Sequence, residues 1–337
     1  MDRLSGLYVL DHLSFSLIYG PDELRDIAAR VDIQSKPWSV KEIQSDRSVL
    51  RNVDVIFSGW GAPRLDADFL AAAPRLKAFF YGAGSAGGLV TQAAWNRGVQ
   101  VTSAYAANAV PVAEYALAMI LFSLKHGFRN ARATRDLESF PVHWPVPGAY
   151  GSTIGLVSLG MIGRSLLKLL RSFEVRVVVF DPFISDEEAA HLGVRLLSLE
   201  ELFRVSDVVS LHTPLLKETR GFITGAHIAS MKDGATLLNT ARGAIVREEE
   251  MIDVLKQRPD LQAVLDVTYP EPPTKGSALY TLPNVVLTPH IAGSKDIECR
   301  RMGRAMVDEL DRYLCGQPLK WAVTPEVAKF SSHRPLS

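Results

Sequence analysis

Residues 153–163, TIGLVSLGMIG, decide how this chain is read. The apolar run 154–157 gives way to small residues, and from Met161 apolar positions recur at helical spacing through Ile162, Leu166, Leu167, Leu169 and Leu170. That is a strand, a tight turn and the start of a helix. In such a unit the turn lets a pyrophosphate approach the backbone, and the helix start offers unpaired N–H groups with partial positive charge. Gly160 and Gly163 hold the second and third glycine places of GxGxxG, while Ser158 holds the first. Taken alone, the pattern fits an ordinary strand-to-helix turn equally well. Asp181, at the end of the next apolar strand in VRVVVFDP, shifts the balance, because a carboxylate there is what recognition of ribose hydroxyls requires. Ser158 fits the turn if its φ stays negative, and cofactor affinity hangs on that condition.

Working outward, short apolar strands are expected at 154–157, 175–180, 208–211, 236–238, 263–267 and 285–287, each buried on both faces as in a parallel sheet. Helices fall between them, including 199–205, where Ser198 and Glu201 fit a capping box, and 247–256. Upstream, strands at 7–10, 53–57, 76–80 and 99–102 alternate with helices at 21–29 and 66–73, a smaller α/β unit. Residues 108–132 read as one helix linking the units, whose apolar stretch 115–124 is a buried core segment. Segment 139–152, with three prolines and two glycines, reads as a surface excursion that packs on a partner subunit or borders a site. A last amphipathic helix, 296–314, presents Met302, Met306, Leu310 and Leu314 and returns toward the first unit; residues 324–337 are expected to fray or lie on the surface.

With 337 residues the chain has room for two domains, and its 37 basic and 37 acidic residues cancel. Nothing in this favours a nucleic acid or an anionic membrane as partner. The nearly uninterrupted apolar run of ten residues at 115–124 falls short of the roughly 20 that span a bilayer. The N-terminus lacks a signal-peptide pattern, and Cys299 and Cys315 show neither metal nor redox spacing, which suits a reducing cytoplasm.

In an open parallel sheet, ligands bind beyond the carboxyl ends of the strands. Those positions carry Asp181, His212 and Thr213, Thr240 to Gly243, Asp266 leading to Glu271, and His290. A single loop charge is most simply a solvated one; a whole set placed just after strands is not. Arg242 can grip a carboxylate through two parallel hydrogen bonds, which lysine cannot reproduce. Histidine titrates near pH 6.5, so His290 can exchange a proton near neutrality, and a carboxylate such as Glu271 favours its charged form. The trio suits a 2-oxo acid, with a bound nicotinamide supplying the hydride that no side chain can. The loop YGAGSAGG at 81–88, rich in accessible backbone, is either an anion-binding turn or a flexible connection.

These residues resemble the D-isomer-specific 2-hydroxyacid dehydrogenases. The resemblance covers about 76–319 and rests on NAVPVAEYALAMIL (108–121), the turn with Asp181, HTPL (212–215), TRGFI (219–223), MKDGATLLNTARG (231–243), LDVTYPEPP (265–273) and TPHIAGS (288–294). It implies catalytic roles for Arg242 as substrate anchor, Glu271 as partner of the histidine and His290 as acid/base. For NAD it implies the turn residues Ser158, Gly160, Met161, Ile162 and Gly163, with Asp181 on the ribose. His212, Thr213, Thr240, Ala241, His290 and Gly293 complete that set, with Asp266 near the carboxamide. Backbone at Gly82, Ala83, Gly84 and Ser85 would hold the substrate carboxylate, beside Arg242. No metal is expected. The fold implied is α/β with two Rossmann-like domains: a doubly wound parallel sheet for the nucleotide (104–296), clasped by a smaller flavodoxin-like substrate domain (1–103 with 297–337).

The resemblance thus implies a cytoplasmic, dimeric, NAD-dependent enzyme interconverting a small 2-oxo acid and its (R)-2-hydroxy acid, with no nucleic acid or membrane partner. The loop at 81–88 lacks the arginine and aspartate common at this place in phosphoglycerate dehydrogenases, which leaves substrate choice open. An NAD-sensing regulator or corepressor shares such residues. A formate-dehydrogenase-like activity needs no acid/base pair, and Glu271 with His290 argues against it.

Overall fold

The computed structural model describes residues 3–141 and 145–330, and the chain divides into two compact units, 1–109 with 294–337 and 110–293. The middle of the excursion at 139–152 and the end of the polar tail at 324–337 therefore lie outside the described residues.

The first unit is a five-stranded parallel sheet in the order β2 (Pro37–Trp38), β1 (Gly6–Val9), β3 (Val55–Ser58), β4 (Ala78–Tyr81) and β5 (Gln100–Ser103). This 2-1-3-4-5 order is that of flavodoxin-like sheets. Its strands are mostly apolar, apart from β5, and both faces are covered. One face buries Tyr8, Phe57 and Phe80 against the methionines of helix Cys299–Leu314, and the other buries Ile56, Phe79 and Leu70. The last helix begins with a 3-10 turn, Asp296–Glu298, and buries Met302, Met306 and Leu310, while Leu314 is largely exposed where the helix runs out. Its Glu309, 1% exposed, accepts hydrogen bonds from Thr102 Oγ1 (2.7 Å) and the Lys320 and Trp321 N–H groups (both 3.1 Å). The chain beyond it is thereby sewn to β5, where the Val323 N–H donates to Val101 O at 2.8 Å. The start of the tail does not fray: Thr324 caps a short helix, Pro325–Lys329.

The second unit is a seven-stranded parallel sheet ordered β12 (Val285–Leu287), β11 (Gln262–Leu265), β10 (Thr236–Asn239), β9 (Val208–Leu211), β6 (Thr153–Val157), β7 (Arg176–Phe180) and β8 (Arg195–Leu196). Every pairing is parallel, and the order reverses between β6 and β9. That is the doubly wound arrangement with its crevice at the reversal point.

Four expectations need correcting. Burial on both faces holds for β6, β9 and β10 but not for β7 and β12, since β12 is an edge and β7 has only the two-residue β8 beyond it. The single helix at 108–132 is two, Tyr105–Ser123 and Gly127–Leu137. Between them His126 has φ +48°, and the Phe122 ring lies where a side chain on residue 127 would be. The first of these helices has 19 residues, long and apolar enough to span a bilayer by length and composition. It buries one face, Val112, Ala113, Ala116 and Ile120, rather than lying wholly in the core; Phe122 on another face is exposed. The capping box at 198–201 is half formed: Ser198 accepts the Glu201 N–H, while Glu201 turns to Arg195.

Candidate active site

Because all seven strands run parallel, the segments that follow them emerge along one edge of the second unit. At the reversal point, the turn after β6 differs from expectation: Ser158 has φ +76°, not a negative value. The left-handed backbone is held by the Ser158 N–H donating to Phe180 O (2.8 Å) and by a 2.8 Å hydroxyl contact between Ser158 and Thr213, which follows β9. The serine hydroxyl thus bridges the two strands between which the order reverses.

Gly160 begins helix Met161–Leu170 with φ −72°, and nothing lies within 4 Å of where its Cβ would stand. Its smallness serves no neighbour in this unit; it leaves the helix start open to a ligand. At Gly163 a Cβ would lie 2.6 Å from the Ser158 carbonyl, so this glycine lets helix and turn close on each other. Asp181 accepts the Leu159 N–H through Oδ2 (2.8 Å) and the Phe183 N–H through Oδ1 (2.9 Å), which presses the glycine turn toward β7 while each oxygen keeps a further acceptor site.

His212 is buried, with Nε2 on Ser210 Oγ at 2.9 Å and Nδ1 without a partner among the described residues. Burial lowers its pKa to about 4, so it is neutral at pH 7. Thr240 Oγ1 is likewise buried without a partner, and a bound polar ligand would satisfy both. These orphaned atoms, the open Gly160 and the free N–H groups of Met161 and Ile162 fit a dinucleotide.

Beyond β10, buried Asn239 shapes the next loop: its Oδ1 accepts the Ala241 N–H (3.0 Å) and its Nδ2 donates to Arg242 O (3.1 Å). Arg242, half-buried, turns one guanidinium nitrogen to Ala241 O at 2.6 Å. A Cβ on Gly243 would stand 2.0 Å from the Thr268 carbonyl carbon, so the Arg242 loop rests directly on the backbone that follows β11.

Asp266, 2% exposed, ends β11 and has both oxygens engaged: Oδ1 accepts Thr288 Oγ1 (2.6 Å) and the Ile291 N–H (2.8 Å), and Oδ2 the Ala292 N–H (2.9 Å). Tyr115 extends the chain through its 2.8 Å contact with Thr288. The segment 288–292 is therefore wrapped around one carboxylate, and His290 is carried at its bend with φ +53°. His290 Nδ1 lies 2.6 Å from Glu271 Oε1, both side chains reaching solvent. Gly293, half-buried, closes the segment. Asn239, Thr288 and Tyr115 escaped the sequence reading; only the buried polar residue ending an apolar strand, Asn239, left a signal there.

In the first unit the loop after β4 departs from expectation. The Gly82 N–H donates to Ser58 O (2.9 Å) and the Ala83 N–H to Tyr81 O (2.8 Å), so these two amides serve the fold. The Ser103 hydroxyl holds the Ala83 and Gly84 carbonyls, and a Cβ on Gly84 would crowd Asn108 at 3.2 Å. An anion-binding role is thereby withdrawn from the Gly82 and Ala83 amides.

Residues 117–292 match the model of the D-isomer specific 2-hydroxyacid dehydrogenase NAD-binding domain. The chain is 33% identical over 273 residues to a hydroxypyruvate reductase of Thermotoga maritima, covering 79% of this chain and 86% of the relative. It is 32% identical over 260 residues to a D-3-phosphoglycerate dehydrogenase of Archaeoglobus fulgidus, covering 77% of this chain but 49% of that protein. The chain thus spans about half the length of the phosphoglycerate dehydrogenases it matches. Among solved structures it is similar to the TT0316 protein of Thermus thermophilus, with TM-score 0.75, 30% identity, and coverage of 95% of this chain and 100% of that one.

Proposed function

Because this chain belongs to the D-isomer specific 2-hydroxyacid dehydrogenase family, we propose that it reduces a small 2-oxo acid to the (R)-2-hydroxy acid, and runs the reverse reaction. The single observation that carries this is the 2.6 Å contact between His290 and Glu271 at the carboxyl edge of a dinucleotide-binding sheet. NAD(H) supplies or accepts the hydride at the carbonyl carbon. Arg242 binds the substrate carboxylate and polarises the carbonyl oxygen. Glu271 holds Nδ1 of His290, so Nε2 exchanges the proton at the substrate oxygen: it gives the proton during reduction and takes it during oxidation. Asp181 accepts from the ribose hydroxyls and repels a 2′-phosphate, which favours NAD over NADP. A regulator can carry the same pair, and the reason to prefer an enzyme is that the relatives this chain matches include a hydroxypyruvate reductase and phosphoglycerate dehydrogenases. In this reading residues 104–296 hold the nucleotide and the remainder of the chain the substrate loop.

The working form is a cytoplasmic homodimer. Phe122, Leu137, Phe140 and Tyr150, all exposed in the single chain, supply an apolar surface for the second copy, and both cysteines are free. The substrate is small, and the hydroxypyruvate reductase that matches over most of its length makes hydroxypyruvate the first acid to try. The test is NADH oxidation over a panel holding glyoxylate, hydroxypyruvate, its 3-phosphate, pyruvate and bulkier 2-oxo acids. Turnover on one of these, falling by at least about 100-fold in R242A while NADH still binds, is the expected result. No turnover on any of them, or a preference for NADPH, refutes the corresponding part.

A further inference from the structure

Glu248 opens helix Glu248–Gln257, just downstream of the Arg242 loop. Its Oε2 accepts the Tyr269 N–H at 3.0 Å, two residues before Glu271. Burial pushes its carboxyl up, the Tyr269 N–H opposes, and neighbouring Glu249 adds to the rise. The strand of chain that bears Glu271 is held at other points too. Thr268 Oγ1 donates to Pro270 O (2.8 Å), the Tyr280 hydroxyl to Pro273 O (3.1 Å), and Arg220 lies 5.2 Å from the Tyr269 ring centre. Of these contacts, that of Glu248 joins the Glu271 segment to the helix that continues from the Arg242 loop, and Gly243 meets the same segment at the Thr268 backbone.

We infer that Glu248 is a positioning residue: by holding the Tyr269 N–H it sets the Glu271 carboxylate at hydrogen-bond distance from His290 and ties that pair to the Arg242 loop. This rests on the acid/base reading given above. The charged groups around the pair are already committed. Asp266 is taken up by Thr288, Ile291 and Ala292, Arg220 faces Tyr269, and Arg247 faces Glu250 and the Gly221 carbonyl. Glu249 bears on Glu248. A carboxylate at a helix start also stabilises the helix through its dipole, and the test must separate that service from reach.

The experiment measures kcat and KM of NADH-dependent reduction in E248A, E248D and E248Q beside E271Q, on the 2-oxo acid that wild type turns over fastest. E248A leaves the Tyr269 N–H unheld, and E248D keeps the charge at the helix start but falls one methylene short of the amide. In both, kcat falls about tenfold, a part of the 10²–10⁴ that acid/base catalysis supplies, with KM changed less than about twofold. E248Q, whose amide oxygen accepts the same N–H, keeps the wild-type kcat. Added to E271Q, E248D lowers kcat no further, because the carboxylate it would position is already gone. A kcat unchanged in E248D, lowered as far in E248Q as in E248D, or lowered a further tenfold or so on top of E271Q, overturns the assignment. The His290 ring signals in the NMR spectrum at a single pH, displaced in E248D and in place in E248Q, read the same change without turnover. A wild type inert toward every oxo acid therefore defeats the catalytic reading while Glu248 is still tested.

Discussion

Ser158 shows how much one dihedral adds to a motif. The residue type was plain in the sequence, and so was its oddity at the first glycine place; its φ of +76° was not, because a serine pattern carries no sign of backbone handedness. A left-handed non-glycine residue costs roughly 1–2 kcal/mol, and the hydroxyl contact with Thr213 returns about 1 kcal/mol. Replacing Ser158 by Gly should relieve the strain, lose the hydrogen bond and add chain entropy, leaving stability within about 1 kcal/mol of wild type. Replacing it by Ala keeps the strain and loses the bond, so S158A should be less stable than wild type by about 1 kcal/mol. Urea midpoints order the three proteins; S158A as stable as wild type would mean that the hydroxyl pair contributes nothing. Asp181 was legible as a residue because it follows an apolar run directly, and His290 because it stands three residues beyond one. The two buried amides at Gly82 and Ala83 were misread because glycine content signals open backbone without saying where its N–H groups go.

Among elements, strands of three residues or more were legible from their apolar runs, and all lie within a few residues of where the pattern put them. The two-residue β2 and β8 were not, since two residues have no period. The split of the 108–132 helix was hidden because Gly127 is a helix-tolerated residue in a helical pattern; the break itself is the left-handed backbone of His126, with the Phe122 ring close against Gly127. A similar close approach governs the Arg242 loop. A methyl group on Gly243 would stand 2.0–2.5 Å from three backbone atoms of Thr268, and backbone cannot give way as a side-chain tip can. Gly243→Ala should therefore push the Arg242 loop off the segment leading to Glu271. A misplacement of about 1 Å costs on the order of 100-fold in rate. The expected result is a fall of that size in kcat/KM for the oxo acid, with NADH affinity changed far less. Equal losses in both would place the damage in the whole unit rather than in the loop.

At the scale of the whole molecule, two parallel α/β sheets could be read from alternating strands and helices, and the polar residues gathered after the strands could be read from their order. Burial of individual polar groups could not, and that burial sets the response to acid. His212 is buried and neutral with a pKa lowered to about 4 from an ordinary 6.5. Between these values the unfolded chain binds a proton that the folded chain refuses, so unfolding gains on acidification: stability is full above about pH 6.5 and declines to about pH 4. The ceiling on this loss is on the order of 3 kcal/mol, at about 1.4 kcal/mol per unit. His126, lowered by burial and by Arg129 beside it, acts in the same direction. Glu42 has its carboxyl lowered to about 2 by the Ser39 amide and hydroxyl and by His12, so its contribution is lost only below about pH 4.5. Urea unfolding at a series of pH values should thus show a first decline from pH 6.5 to 4 and a second below it. His212→Gln should flatten most of the first and leave the second in place. The slope rather than the absolute stability is the readout, because glutamine repacks the site at its own cost. An equally steep first decline in H212Q would transfer the effect to His126 and to the other histidines.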